Sequence, residues 1–145
     1  MSDLKNMIYD GAHRLFNDFL SWENLKLYEK QVWPEELWVE FNKLGFTNIF
    51  SPDDQNGIDA KWTDAQIILK ASGYHGAPLP VGESLACNWF ASKSGMVLPD
   101  GQWAITNGPI KIDEKLNKVE FKNLDVAWGR YCLLYTSPSP RDEST

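Results

Sequence analysis

Cysteine is almost missing from this chain: Cys87 and Cys132 are the only two among 145 residues. That number excludes a disulfide framework, and their separation matches no metal-recruiting spacing. Histidine is equally scarce, with His13 and His75 alone available for imidazole chemistry. Neither has a sequence-local partner to tune its pKa, so both read as ordinary surface or packing histidines. Long apolar runs are absent too. None approaches the roughly 20 residues needed to span a bilayer, and the amino terminus lacks a basic region followed by an apolar stretch. Positive charge is in deficit, 14 Lys and Arg against 20 Asp and Glu, for a net charge of -6 and a sequence pI near 4.8. No basic cluster is dense enough to track a phosphate backbone. The sequence therefore reads as cytosolic, with no nucleic-acid and no membrane partner expected.

What is present is aromatic. Seven Trp, five Tyr and seven Phe make up 13% of the chain, and Trp is spread from Trp22 to Trp128. A stacking platform needs several rings on one face, so this scatter reads as packing within a core and its interfaces. The hydrophobic fraction of 43% is that of a globular chain able to bury a core.

The apolar residues Leu4, Met7, Ile8, Ala12, Leu15, Phe16, Phe19 and Leu20 recur at helical spacing and predict an amphipathic helix over residues 4–20. Ser21 is placed to cap a second, shorter helix to about Lys30. Pro34 at a first helical position, followed by Glu35 and Glu36, predicts a third running to Leu44, with a stripe of Leu37, Trp38, Phe41 and Leu44. Gly45 supplies a left-handed stop. Residues 46–50 read as extended and residues 51–57 as a surface loop of turn formers. Thr63 is placed to cap a helix bearing Ala65, Ile67, Ile68 and Ala71 that Gly73 ends. Pro78 and Pro80 then set an extended link, and a last helix is predicted from about Glu83 to Lys93, burying Leu85, Ala86, Trp89 and Phe90 before Gly95. Cys87 reads as a small buried hydrophobe.

After Gly95 the pattern turns to short β-rich pieces at residues 102–105, 110–112, 118–122 and 124–128, with Val119 and Phe121 on one face. The expectation is a mainly α chain: a helical unit over residues 1–97, then a few strands of an incomplete β domain over residues 98–131. Residues 132–142 have no periodicity and resemble the translation of a transposase adapter used in preparing sequencing libraries. On that reading the native sequence stops at Tyr131, whose codon would end in the adapter's first base, and residues 132–145 form a non-native tail.

The succession Trp33-Pro34, Leu37-Trp38, Leu44-Gly45-Phe46 and Pro52-Asp53-Asp54-Gln55-Asn56-Gly57 resembles the amino-terminal helical domain of acyl-CoA dehydrogenases. In that family a helix ends in Leu-Gly, and a Gly-rich Pro-acid-acid loop leads into the next helix. Here Asn56 and Asp59 stand where Gly is usual, and Asn tolerates the left-handed conformation. The stretch Ala77-Pro78-Leu79-Pro80-Val81-Gly82-Glu83-Ser84-Leu85-Ala86 and the piece Asp125-Val126-Ala127-Trp128-Gly129-Arg130 are similar to the divergent branch acting on steroid and related acyl-CoA side chains. The resemblance spans residues 5 to 131. It implies a parent flavoenzyme using FAD to remove the α and β hydrogens of an acyl-CoA substrate, assembled as a homo- or hetero-oligomer of such subunits. The family's catalytic Glu and most flavin contacts lie in domains not complete here, so the chain itself is expected to be inactive and to bind no FAD.

No catalytic, cofactor-binding or metal residue is assigned from the sequence. Trp103-Ala104-Ile105-Thr106-Asn107-Gly108 is similar to the family's flavin-packing Trp-Ile-Thr-Asn-Gly loop, but an inserted Ala breaks the match and the segment reads instead as a strand ending in an Asn-Gly turn. The acid pairs Glu35-Glu36 and Asp53-Asp54 are explained by helix-dipole complementarity and turn formation. Two other function classes stay open at this point. One is a complete small helical module whose aromatic surface docks a partner helix or peptide. The other, a Trp-rich carbohydrate binder, needs exposed coplanar Trp, against which the helical spacing of Trp38 and Trp89 argues.

Overall fold

The computed structural model describes residues 2–105 and 110–121, with the side chains of Ile110 and Phe121 outside the description. The chain divides after Pro99 into two compact units. The fold is mainly α, as the periodicity predicts.

The first unit holds five helices: α1 (Asp3–Phe19), α2 (Trp22–Glu29), α3 (Glu35–Lys43), α4 (Trp62–His75) and α5 (Val81–Ser94). Ser2 and Ser21 open α1 and α2 in the same way, each with extended backbone and a side-chain oxygen accepting from the backbone N–H three residues on. Each cap satisfies a donor that has no intrahelical partner. Ile8, Ala12, Leu15 and Phe16 form the buried stripe of α1, and its main contact is with α4 through Ala65, Ile68 and Ala71. Leu37, Trp38 and Phe41 of α3 close the core together with Phe46, Ile49, Phe50, Leu79, Val81 and Leu85.

Several boundaries differ from the sequence reading. Pro34 is the N-cap of α3 instead of its first residue, and Leu44 is exposed, because the helix ends at Lys43 and the chain turns at left-handed Gly45. Residues 46–50 are not extended: Phe46–Asn48 is a 3-10 turn, which lets Phe46, Ile49 and Phe50 all point into the core. Thr63 does not cap α4. Lys61 occupies that position, and the Asp64 carboxylate accepts from its backbone N–H at 3.0 Å. The helix also passes through Gly73 and stops at left-handed Gly76. An exposed glycine inside a helix is tolerated at about 1 kcal/mol relative to Ala, so it is no obligate stop.

In α5 the buried face is rotated from the expected one. Val81, Ser84, Leu85, Cys87, Asn88 and Ala91 are buried, Ala86 and Trp89 are half-buried, and Phe90 is 57% exposed. The face is centred on Asn88, a polar residue that periodicity of apolar residues alone would turn outward. Cys87 is buried and reduced, as expected.

In the second unit, β1 (Ile110–Asp113) and β2 (Lys118–Phe121) pair antiparallel with Ile112 opposite Val119. Asp113 Oδ1 accepts from the backbone N–H groups of Lys115 and Leu116, closing a turn in which Asn117 is left-handed. Residues 102–105 are irregular, not a strand. Strand geometry needs a hydrogen-bonded neighbour, and β1 with β2 is the sole pairing among the described residues. The predicted strand at residues 124–128, the whole Trp-Gly-Arg piece and the tail from Cys132 lie outside the described residues.

Candidate functional site

Two polar clusters stand out. The first is buried under the loop of residues 49–60, where Asn88 reaches from α5 toward chain that forms no regular ladder. Its Oδ1 accepts the Phe50 N–H at 2.8 Å, and its Nδ2 donates to Ser51 Oγ at 2.8 Å and Asn48 Oδ1 at 3.3 Å. Ser51 Oγ donates in turn to Asn48 Oδ1, and Asn48 Nδ2 to the Gln55 carbonyl. Every member has a partner, which a buried polar network requires to be stabilising.

The same loop is pinned by backbone. Asp59 N–H donates to Ser51 O and Ala60 N–H to Ile49 O. Gly57 lies so close that a Cβ there would sit 1.8 Å from the Ser51 carbonyl oxygen. Asn56 and Asp59 both adopt left-handed backbone, with φ of 60° and 47°. Asp53 and Asp54 form the first turn of a short 3-10 segment (Asp53–Gln55), and Glu35 and Glu36 form the first turn of α3. All four are exposed, at the helix and turn starts where dipole complementarity and turn formation favour acids.

The second cluster was not legible in the sequence. His13 of α1 and His75 of α4 come together, with His13 Nδ1 and His75 Nε2 at 2.9 Å. Sixty-two positions separate them in sequence, and only the docking of α1 on α4 makes them neighbours. Rings surround the pair: Tyr9 lies 4.2 Å from His13 between centroids, Tyr74 5.8 Å from His13, and Phe16 5.9 Å from His75. Partial burial, and secondarily the neighbouring His13, lower the His75 pKa from its ordinary value. Both effects disfavour a second positive charge. Both rings are half-buried, so the cluster has a solvent side.

On the same seam, Lys5 Nζ meets Asp64 Oδ1 at 2.7 Å and also donates to the Thr63 carbonyl. That side-chain bond, then the Lys61 backbone N–H, hold the Asp64 carboxyl below its usual range.

The aromatic residues form chains of contact, not one platform. Trp33, Trp38, Phe41 and Phe46 pack in sequence within the core. A second run links Phe50, Trp62, Trp89 and Phe90 with interplanar angles between 49° and 75°, which is not coplanar. No family model, no curated protein and no solved structure matches the chain. Among the described residues no helix is long and apolar enough to cross a membrane, and no group of three or more His, Cys, Asp or Glu is placed to hold a metal ion.

The flavin-like segment can be judged in part. Trp103, Ala104 and Ile105 run irregularly, while residues 106–108 lie outside the described set. The described part does not provide the strand from which an Asn-Gly turn would face a flavin ring. No chemical step is assigned to that group in this chain.

Proposed function

We propose that the chain is the amino-terminal helical portion of a flavin-dependent acyl-CoA dehydrogenase, acting in the cytosol within an oligomer of such subunits, and that the portion alone does not dehydrogenate substrate. The observation that carries this reading is the loop after α3. Where the resembling family usually has Gly, this chain has Asn56 and Asp59, and both take the left-handed backbone that Gly favours. Backbone geometry thus agrees with the family pattern at the two positions where the residues depart from it. The Leu44-Gly45 helix ending and the tight approach of Gly57 to Ser51 point the same way.

The activity implied is α,β-dehydrogenation of an acyl-CoA thioester. FAD in the parent protein would take the β hydrogen as hydride, and a carboxylate outside this chain would take the α proton.

The test is to resequence the source DNA across and beyond the codon for Tyr131 from a library made without transposase. A reading frame that continues past Tyr131 into a β domain and a helical bundle, with an acidic residue at the family's base position or a partner subunit that supplies one, is the expected result. A natural stop after Thr145 would sink the reading. It would favour instead a complete helical binding module, whose docking surface would draw on the exposed Trp22, Tyr74 and Phe90.

A further inference from the structure

The loop after α3 makes two demands that meet at one dipeptide. Position 56 has left-handed backbone, which Asn tolerates. Position 57 must lack a side chain, because a Cβ there would stand 1.8 Å from the Ser51 carbonyl oxygen. Meeting both demands gives Asn56-Gly57, and that pairing carries chemistry of its own. An Asn side-chain amide lies one ring closure from the next backbone nitrogen, and a following Gly has no Cβ to hinder the approach.

The folded loop blocks that closure in two ways. The Gly57 N–H donates to the Pro52 carbonyl at 3.0 Å, and Gly57 is buried although Asn56 is exposed. Asn56 also sits at a ψ of 23°, which turns the Gly57 nitrogen to the side of the Cα–C bond away from Cβ and so away from the amide. Ring closure needs that nitrogen eclipsing Cβ. The rotation about ψ is resisted by Gly57 N–H to Pro52 O, Asp59 N–H to Ser51 O, and Asn48 Nδ2 to the Gln55 carbonyl.

We propose that Asn56-Gly57 is a spontaneous modification site held shut by its loop: it converts to aspartate and isoaspartate only from an opened state, and the isoaspartate product cannot return to the closed one. In the open loop, base removes the Gly57 amide proton, the nitrogen bonds to Asn56 Cγ, and the side-chain nitrogen leaves as ammonia. Water then opens the succinimide. Breaking the new C–N bond gives Asp, whereas breaking the original peptide bond leaves the chain running through Cβ and Cγ, which is isoaspartate. The net change is amide plus water to carboxylate plus ammonium, with no oxidant. An Asp product keeps the register, and Asp59 shows that Asp takes left-handed backbone in this loop. Isoaspartate lengthens the main chain by an atom, so Gly57 can no longer both reach Pro52 O and lie against Ser51 O.

The inference is independent of the acyl-CoA dehydrogenase reading. Its test follows amide-to-acid conversion by tryptic peptide mapping of the full chain in mildly alkaline buffer, beside a free peptide of residues 52–60. The other Asn-Gly pair, Asn107-Gly108, falls on a separate tryptic peptide. Asn56 should convert at least about tenfold more slowly in the chain than in the free peptide, because only opened loops react. The slowing should be no smaller than the hydrogen-exchange protection of the Gly57 amide, since breaking its bond to Pro52 O is necessary for both. Asn48→Ala removes the pin on Gln55 and should speed conversion about 2- to 10-fold, the factor that one net hydrogen bond gives. The purified isoaspartate form should melt below Asn56→Asp, which stands for the Asp product. Conversion as fast in the chain as in the peptide, slowing smaller than the Gly57 amide protection, an unchanged rate in a folded Asn48→Ala, or an isoaspartate form as stable as Asn56→Asp would overturn the proposal. If Asn48→Ala fails to fold, the wild-type comparison of conversion with amide exchange decides.

Discussion

Helices α1 and α2 begin alike and end up in different roles. Each opens on a serine whose backbone is extended and whose hydroxyl accepts from the N–H three residues later, and each carries an acid in its first turn. Yet α1 buries four residues and α2 buries none, with Trp22 72% exposed at its start. A cap fixes where a helix starts. It does not decide whether the helix belongs to the core, which depends on the apolar stripe: Ile8, Ala12, Leu15 and Phe16 lie on one face, whereas Trp22, Leu25 and Leu27 do not align against any neighbour strongly. A helix of eight residues is also marginal on its own propensity. The chain thus has one helix held by packing beside one held mainly by its own backbone.

The sharpest way to break this comparison is to truncate a large side chain in each. Phe16→Ala removes a fully buried ring that stacks on Phe41 and should cost about 3–5 kcal/mol. Trp22→Ala, with its ring exposed and a Lys26 ammonium 5.2 Å over it, should shift stability by about 0.5 kcal/mol or less. Urea titrations of the two variants check this, and comparable losses would mean that α2 is part of the cooperative core.

A smaller effect tests whether the core owes its unity to polar as well as apolar packing. Asn88→Ala leaves the buried Phe50 N–H without its acceptor, which should cost about 1–3 kcal/mol. Asn88→Leu, similar in volume and more apolar, should do no better. A stabilised leucine variant would show that hydrophobic filling is all the site needs.

That residue also marks how far the sequence was legible. Five helices and the β1–β2 pair followed from periodicity and stop residues, and Gly45 and Gly95 act as the left-handed stops expected of them. The buried face of α5 did not follow, because it is organised by what the loop of residues 49–60 requires and that requirement comes from 37 to 40 positions away. From the sequence, residues 46–50 read as extended because three large apolar residues in five fit either conformation, whereas Phe46–Asn48 forms a 3-10 turn. His13 and His75 read as ordinary surface or packing histidines because neither has a sequence-local partner. Each is ordinary in its own neighbourhood, and the pair exists only once α1 lies on α4.

Acid offers a milder probe of the α1 side. The Lys5–Asp64 pair lowers the folded-state pKa of Asp64 below its ordinary value of 3.8. Its contribution is therefore full above that value and is lost as pH falls through the folded-state pKa. Solvent around the Lys5 side chain keeps the pair to about 1 kcal/mol or less. Asp64→Asn should accordingly be less stable than wild type at neutral pH, and the gap should close as pH drops below about 3.8. A gap that persists unchanged into strong acid would assign the loss to the Lys61 backbone cap instead of the charge.

The smallest difference separates the two caps themselves. Ser2→Ala and Ser21→Ala delete the same hydrogen bond, for which about 0.5–2 kcal/mol is usual. In α1 the following turns are locked by the core, so losing the cap should lower the global midpoint. In α2 nothing buried transmits the loss, so Ser21→Ala should leave the global midpoint nearly unchanged while speeding amide exchange in residues 22–25 by about 3- to 10-fold, the factor that ~1 kcal/mol of local opening gives. Equal shifts in the global midpoint would mean that α2 unfolds with the rest of the unit, and the contrast between the two helices would then be one of exposure alone.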